Sequence, residues 1–284
     1  MKTTIITAVV ALLIFIPIVI FANTVLFTTP TGSEVKIINL ALAILSAVGA
    51  YEALKCIGEH KNLFMVLAFA FSALLPLITN SSLDLYTPIF IILLFYLLFV
   101  GVLRNKSMTC DKVLIAFALT FYVTASFGAM IVLYNNDIKL FPLIFIGAWV
   151  TDTFAYFSGY FFGKHKLIPA VSPKKTVEGA IGGVLFCVVA TVLFGFIIEK
   201  FFNPDGAISA NYLVLAVSGV FVSVVSQTGD LIMSVIKRHY GIKDYGKLFP
   251  GHGGMLDRFD SVLAVSLILA VICTYFELIP SVVV

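Results

Sequence analysis

Long apolar stretches separated by short polar connections run along almost the whole chain. A membrane-spanning helix needs roughly 20 mostly apolar residues, and the stretches that meet this length predict an all-α polytopic membrane protein with about nine transmembrane helices. The predicted helices are Thr3–Ala22, Lys36–Lys55, Leu63–Thr79, Tyr86–Leu103, Val113–Tyr134, Leu140–Tyr160, Val177–Ile198, Tyr212–Ile236 and Phe259–Ile279. The connections between them are rich in turn-forming residues.

Composition supports a membrane protein and excludes an ordinary soluble domain. Of the 284 residues, 61% are hydrophobic and 12% are charged, whereas soluble domains are about half apolar and about a quarter charged. One globule of this size could not bury so many apolar side chains, so lipid must be the solvent for most of the surface. The four cysteines are scattered, which favours buried thiols over disulfides or a zinc site. They are Cys56, Cys110, Cys187 and Cys273.

The positions of the basic residues predict the orientation of the helices in the membrane. If the N-terminus is cytoplasmic and the helices alternate, every Lys and Arg except Lys36, Lys139 and Lys200 falls on the cytoplasmic side. Such asymmetry follows the positive-inside rule and predicts a cytoplasmic N-terminus and an external C-terminus. The first stretch is expected to be a retained helix, because Phe21-Ala22-Asn23 is a poor signal-peptidase site.

The polar connections divide the chain into two parts of different character. The two longest cytoplasmic connections, Gly163–Thr176 and Lys237–Arg258, both lie in the C-terminal half. We therefore expect residues 1–134 to form scaffolding helices that face lipid and residues 135–284 to form the catalytic helices with their cytoplasmic loops. Ionisable groups within spanning helices are costly and are functional candidates by default. Those groups are Glu52, Asp152, Glu178 and Asp230.

The eighth predicted helix carries a polar face. Its polar residues recur at spacings of three and four, which places them on one side of a helix; they are Ser223, Gln227, Asp230, Ser234 and Lys237. Helix–helix hydrogen bonding explains Ser223 and Gln227, but the carboxylate of Asp230 needs a cation. In the sixth predicted helix, Asp152 shares a face with Gly159 and Gly163. Those glycines permit close packing of a neighbouring helix, and Asp152 points either to a functional site or to a simple lysine pair.

The last cytoplasmic loop combines glycine, carboxylate and basic residues. Its glycines, among them Gly253 and Gly254, allow tight turns and expose N–H groups that suit phosphate oxygens. Asp257 and Asp260 lie three apart at a helix start, and such carboxylates are oxygen ligands of the kind that Mg²⁺ uses beside nucleotide phosphates. Positive charge for phosphate is provided by Arg258 and by the basic run Lys237, Arg238, Lys243 and Lys247. Acidic residues in a first helical turn also favour the macrodipole. His252 is either an acid or phosphate ligand, or a loop residue with a simple hydrogen bond.

A second anion-binding pattern precedes the seventh predicted helix. Ser172 is predicted to cap that helix, with Pro173 at its first position. The helix start would then offer N–H groups, together with Lys174 and Lys175, to a phosphate. A capped helix whose lysines only set the topology remains the alternative.

Both patterns resemble one enzyme family. The segment Ser234–Asp260 is similar from end to end to the phosphatidate cytidylyltransferase (CDP-diglyceride synthase) signature, with no departure at its fixed positions. Trp149–Gly183 and the pair Gly229-Asp230 resemble the same family. The convincing similarity covers about the C-terminal half.

The resemblance implies a multi-pass enzyme of the cell membrane, active as a homodimer, that uses Mg²⁺ and CTP and acts on phosphatidic acid in the bilayer. It implies that the active site opens to the cytoplasm and that the product, CDP-diacylglycerol, feeds phospholipid synthesis. No nucleic acid partner is expected. The resemblance also implies that Asp230 and Asp257 hold the metal.

The roles of individual residues follow as hypotheses. Asp260 and Asp152 are further candidates for the metal. The catalytic set is expected to comprise Asp230, Asp257, Lys237 and Arg258, and the substrate-binding set Ser172, Lys174, Lys175, Thr176, Glu178, Lys243, His252, Gly253 and Gly254. A CTP-dependent lipid kinase and a membrane transporter remain as alternatives.

Overall fold

A computed structural model of the chain shows a predominantly helical protein. It describes residues 17–18, 20–28, 34–59, 65–80, 84, 86–104, 109–202, 209–251 and 253–279. The first half contains the strands β1 (Val25–Thr28) and β2 (Glu34–Lys36) and the helices α1 (Ile37–Ile57), α2 (Met65–Ile78), α3 (Tyr86–Leu103) and α4 (Cys110–Asn136).

The second half begins with a composite helix and contains one hairpin. The composite helix joins a 3-10 turn (Ile138–Leu140), α5 (Phe141–Phe145), a π-helical turn (Ile146–Val150) and α6 (Thr151–Phe162). It is followed by the strands β3 (Lys166–Ile168) and β4 (Ser172–Thr176), and by the helices α7 (Val177–Phe201), α8 (Tyr212–His239) and α9 (Leu256–Tyr275).

Six candidate membrane spans are present among the described residues. They are α1, α3, α4, the composite helix Ile138–Phe162, α7 and α8, and each corresponds to one predicted span. Helix α2 has only 14 residues, and α9 carries charged residues in its first turns. Most of the first predicted helix, Thr3–Ala22, lies outside the described residues. The predominantly helical character is confirmed, although the two hairpins β1–β2 and β3–β4 depart from the all-α prediction. The count of nine and the orientation stay predictions.

The chain forms two compact units. Unit 1 comprises Met1–Asn135 and His239–Phe259, and unit 2 comprises Asn136–Arg238 and Asp260–Val284. Residues 239–258, which the sequence groups with the C-terminal helices, therefore belong to the unit that contains residues 1–135. Helices α8 and α9 each contribute residues to both units.

Polar contacts join the helices of unit 1. The hydroxyl of Thr124 donates to Ser72 Oγ at 2.7 Å, and Ser72 and Ser46 share a 2.9 Å hydrogen bond. These three buried side chains connect α4, α2 and α1. Near the end of α2, Asn39 Nδ2 donates to the carbonyls of Pro76 and Thr79, which satisfies acceptors that a helix end leaves without an intrahelical partner.

Small residues pack α6 against α7 in unit 2. A Cβ atom added to Gly179 would lie 2.6 Å from the carbonyl oxygen of Ala155, and one added to Gly159 would lie 2.8 Å from Thr176 Oγ1. The prediction that glycine on α6 permits close approach of a neighbour is confirmed. Such contact between helix backbones is the usual basis of helix association in membranes, where apolar burial alone provides little drive.

The helix α7 begins at Val177, as the apolar pattern predicts, but its cap differs from the prediction. Ser172 was expected to cap a helix that begins at Pro173, but Ser172–Thr176 is a strand, and the cap is Thr176, whose Oγ1 accepts the Gly179 N–H at 3.1 Å. The preceding strand β3 pairs with these residues in antiparallel fashion. Pro173 is tolerated because the edge of a two-stranded hairpin requires few backbone donors.

Candidate functional site

The polar face of α8 lies against neighbouring helices of unit 2. Thr151 Oγ1 donates to Ser223 Oγ at 3.0 Å, and Gln227 Nε2 donates to the Ala180 carbonyl at 3.2 Å. Ser223 and Gln227 are both buried. Their expected role in hydrogen bonding between helices is confirmed.

Asp230 has the cation that the sequence predicts it to need. The ammonium nitrogen of Lys175 lies 2.7 Å from Asp230 Oδ2, and Ser234 Oγ donates to Asp230 Oδ1 at 3.4 Å. Lys175 Nζ also reaches the carbonyl oxygen of Gln227, at 3.5 Å. The last residues of β4 therefore bring a positive charge to the polar face of α8.

Two further carboxylates and a second lysine lie near this ion pair. Asp152 on α6 and Asp260 on α9 each interact electrostatically with Asp230 and with each other, and Lys237 interacts with Asp260. Lys237 is buried, with 8% of its surface exposed. We call Asp152, Lys175, Asp230, Lys237 and Asp260 the unit 2 cluster. Its carboxylates outnumber its ammonium groups, so the cluster favours an additional cation.

The donor chemistry of the unit 2 cluster fits Mg²⁺, which prefers carboxylate oxygens and usually keeps several waters. Within the described residues, no three Asp, Glu, His or Cys side chains are arranged as a preassembled metal site. Three of the four predicted ligands, Asp152, Asp230 and Asp260, share unit 2, and Asp257 belongs to unit 1. Their role in metal binding stays a prediction.

A short π-helical turn precedes Asp152. Residues Ile146–Val150 form this turn directly before α6, and π-helical turns are frequent at functional sites. Gly147, within the turn, lies so close to Val222 that no side chain would fit there. The irregular turn and this tight contact fix the start of α6, which carries both Thr151 and Asp152.

The hairpin β3–β4 positions the remaining predicted substrate residues of unit 2. Lys174 is exposed, whereas Lys175 is half-buried against Asp230. The carboxylate of Glu178 accepts the backbone N–H of His165 at 3.2 Å and lies 2.6 Å from His165 Nδ1. Glu178 therefore holds the hairpin to the first turn of α7, and its predicted contact with substrate is untested.

The last loop of unit 1 turns tightly, as its glycines predict. Gly251 and Gly253 have φ values of 81° and 86°, a region that other residues rarely adopt, and the Phe249 N–H donates to the Gly253 carbonyl at 2.9 Å. His252 lies outside the described residues. The side chains of Arg258 and Lys243 are exposed, and their contact with phosphate stays a prediction.

Asp257 organises this loop through one oxygen. Its Oδ2 accepts the backbone N–H of Tyr245 at 2.8 Å and that of Gly254 at 2.9 Å. The Gly254 N–H, which the sequence offers to phosphate, is therefore directed at Asp257 in this structure. Carboxylates that bind metals are commonly oriented by such additional hydrogen bonds, so the arrangement is compatible with the predicted role of Asp257.

Glu52 is a buried carboxylate of unit 1 for which the sequence predicts no specific role. Glu52 on α1 accepts backbone N–H groups from Met255 and Leu256, directly before Asp257. The signal in the sequence was a lone carboxylate within an apolar helix. Its partner could not be identified, because more than 200 residues separate the two segments.

Comparison with known proteins identifies similar chains. The sequence model of the cytidylyltransferase family matches residues 2–276. A phosphatidate cytidylyltransferase of Staphylococcus haemolyticus is 32% identical over 273 residues, covering 93% of this chain and 96% of the relative. The Bacillus subtilis enzyme of the same name is 39% identical over 167 residues, 58% of this chain and 59% of the relative. That of Thermotoga maritima is 41% identical over 124 residues, 44% and 45%.

Proposed function

This chain belongs to the cytidylyltransferase family, and we propose that it transfers the cytidylyl group of CTP to phosphatidic acid, giving CDP-diacylglycerol and pyrophosphate. The observation that carries the proposal is the similarity to phosphatidate cytidylyltransferases over nearly the full length of both chains. The unit 2 cluster, which combines three carboxylates with Lys175 and Lys237, supports the same chemistry.

The reaction requires charge neutralisation more than acid–base catalysis. A phosphate oxygen of phosphatidic acid attacks the α-phosphorus of CTP and forms a new P–O bond. The bond between the α-phosphorus and the oxygen that bridges it to the β-phosphate breaks, and pyrophosphate leaves with that oxygen. The attacking phosphate is already ionised, so no strong general base is needed. Catalysis of phosphoryl transfer rests on positioning and on stabilising negative charge, and Lys175 and Lys237 provide positive charge in unit 2.

Mg²⁺ is the proposed cofactor, with Asp152, Asp230 and Asp260 as the candidate ligands in unit 2. The prediction for Asp257 rests on the sequence motif. When bound, the metal would neutralise charge on the phosphates of CTP. Lys175, which pairs with Asp230 in this structure, is the proposed partner of a CTP phosphate.

We further propose that the protein is a multi-pass protein of the cell membrane. Nine crossings, a cytoplasmic N-terminus and an external C-terminus would place the basic loops in the cytoplasm, where CTP is found. The distribution of Lys and Arg supports this orientation. A homodimer is proposed from the family resemblance. The substrates CTP and phosphatidic acid, together with the bilayer, are the expected partners.

Product analysis tests the proposed function. Purified protein in liposomes containing phosphatidic acid would receive Mg²⁺ and CTP labelled at the α-phosphate, and we expect labelled CDP-diacylglycerol and an equal amount of pyrophosphate. Asp230→Asn should abolish turnover. Asp111→Asn, which changes an exposed aspartate at the start of α4, is the matched control and should retain it.

The alternatives give different products. A CTP-dependent lipid kinase would attack the γ-phosphorus, releasing CDP and a phosphorylated lipid. A transporter would move a solute across vesicles without consuming nucleotide. Folded protein that forms no CDP-lipid would contradict the proposed function and favour one of these activities.

A further inference from the structure

A carboxylate of the helix α1 is buried in unit 1 at a place that the proposed reaction does not use directly. Glu52 is 4% exposed and lies within a 21-residue span of mean hydropathy 1.8. Carboxylates within membrane spans are costly and persist where they have a specific partner. The contacts of Glu52 therefore indicate what it does.

The two oxygens of Glu52 bind successive backbone N–H groups. Oε1 accepts the Met255 N–H at 3.0 Å, and Oε2 accepts the Leu256 N–H at 2.9 Å. Leu256 is the first residue of α9. The first N–H groups of a helix have no intrahelical partner, and negative charge is favoured beside them. Glu52 thus caps α9 from a distant helix.

The loop before α9 is shaped to enclose this carboxylate. A Cβ atom on Gly254 would lie 2.5 and 2.6 Å from the two oxygens of Glu52, and one on Gly246 would overlap the same carboxylate. Real Cβ atoms do not approach so closely. Both glycines therefore allow the loop backbone to pack directly on the side chain of Glu52.

The same turn holds Asp257. The Oδ2 atom of Asp257 accepts N–H groups from Tyr245 and Gly254, and the residues bound by Glu52 immediately precede Asp257 in the chain. Glu52 holds the backbone at Met255 and Leu256, and Asp257 joins this turn to Tyr245, which lies earlier in the same loop. A shift of the backbone at Met255 and Leu256 would carry the Asp257 carboxylate with it.

We propose that Glu52 is a positioning residue for the reaction, which holds the backbone at Met255 and Leu256 and thereby fixes the orientation of Asp257. The inference rests on the proposed function, because Asp257 belongs to the active site only through it. The hydrogen bonds of Glu52 go to backbone N–H groups, so its proposed effect on the reaction passes through Asp257. Its loss should lower kcat more than it raises the KM for CTP, because orientation matters most in the transition state.

Glu52→Gln is the informative substitution. It preserves the size of the side chain, but the amide nitrogen of glutamine donates hydrogen bonds and cannot accept one. One of the two backbone N–H groups of Met255 and Leu256 would therefore face another donor and lose its hydrogen bond. Glu59→Gln is the matched control. Glu59 is a buried glutamate just after α1, 7% exposed, and its carboxylate lies 3.2 Å from Lys112 Nζ.

Two measurements on the full-length protein in liposomes test the proposal. The first is steady-state kinetics, in which we expect Glu52→Gln to reduce kcat at least tenfold with the KM for CTP changed less than threefold. Glu59→Gln should keep kcat within twofold. The second is amide hydrogen exchange, in which Met255 and Leu256 should lose protection in Glu52→Gln and keep it in Glu59→Gln.

The outcomes separate this proposal from the proposed function. Unchanged kcat in Glu52→Gln, with a lowered melting temperature alone, would show that Glu52 is merely structural and would overturn the proposal. If Glu52→Gln does not fold, Glu52→Asp, which keeps the charge but shortens the reach, must show the same loss of kcat. A wild-type protein that makes no CDP-lipid would overturn the proposed function and this proposal with it. Exchange data would then still report whether Glu52 orders the loop.

Discussion

Two adjacent lysines of β4 have different surroundings. Lys175 forms an ion pair with Asp230 at 2.7 Å, and Lys174 is exposed. Charge-assisted hydrogen bonds contribute about 1.5–3 kcal/mol. If Lys175 makes such a bond to phosphate in the transition state, its loss should lower the rate roughly tenfold or more. We expect Lys175→Gln to lower kcat/KM for CTP at least tenfold and Lys174→Gln to lower it no more than threefold, measured from initial rates of CDP-diacylglycerol formation.

Lys175→Arg provides the control for charge. It keeps the positive charge beside Asp230 and should recover part of the activity lost in Lys175→Gln. Equal losses in Lys174→Gln and Lys175→Gln would contradict the distinction, because they would assign the effect to the total charge of the hairpin.

The contacts of single residues could be predicted from the sequence only in part. The need of Asp230 for a cation follows from its place on an apolar helix. The choice of Lys175 over Lys174 does not, because it depends on a strand in which successive side chains point to opposite faces. The partners of Glu52 were equally hidden, since nothing local connects α1 with the loop before α9.

The close contact between α6 and α7 predicts how a substitution at Gly179 changes the stability of the protein. Alanine normally stabilises a helix by about 1 kcal/mol relative to glycine. At Gly179 we expect the opposite, because the added Cβ would lie 2.6 Å from the Ala155 carbonyl oxygen and overpacking typically costs about 1–3 kcal/mol. Gly179→Ala should therefore lower the melting temperature in detergent.

The control for this prediction lies on the other side of α7. Leu185 is 60% exposed, so Leu185→Ala should leave the melting temperature nearly unchanged. A rise in the melting temperature of Gly179→Ala would show that the two helices are not in close backbone contact.

Regular periodicity explains which elements could be predicted. The polar face of α8 was found because a helix repeats every 3.6 residues, and the observed contacts of Ser223, Gln227 and Asp230 agree with it. The predicted cap of α7 at Ser172 is wrong, because Pro173 suits both a first helical turn and an edge strand. Pairing with β3 decides between the two, and such pairing leaves little trace in the local sequence.

Connectivity at the scale of the whole molecule constrains where the charged ends of unit 2 lie. Helices α7 and α8 are both candidate spans. If both cross, Lys164 before α7 and Arg238 at the end of α8 lie on the same side of the membrane, and Lys200 lies on the opposite side. The positive-inside rule then places Lys164 and Arg238 in the cytoplasm. This parity holds whatever the total number of crossings.

Cysteine accessibility measures this arrangement. In a variant whose four native cysteines are replaced by serine, we expect Lys200→Cys to react with an impermeant maleimide in intact cells, and Lys164→Cys and Arg238→Cys to react only in inverted vesicles. Labelling of Lys164→Cys and Lys200→Cys from one side would mean that α7 does not cross. Labelling of Lys164→Cys and Arg238→Cys in intact cells would place this side of α7 and α8 outside the cell, away from CTP. That result would contradict both the proposed orientation and the proposed cytidylyl transfer.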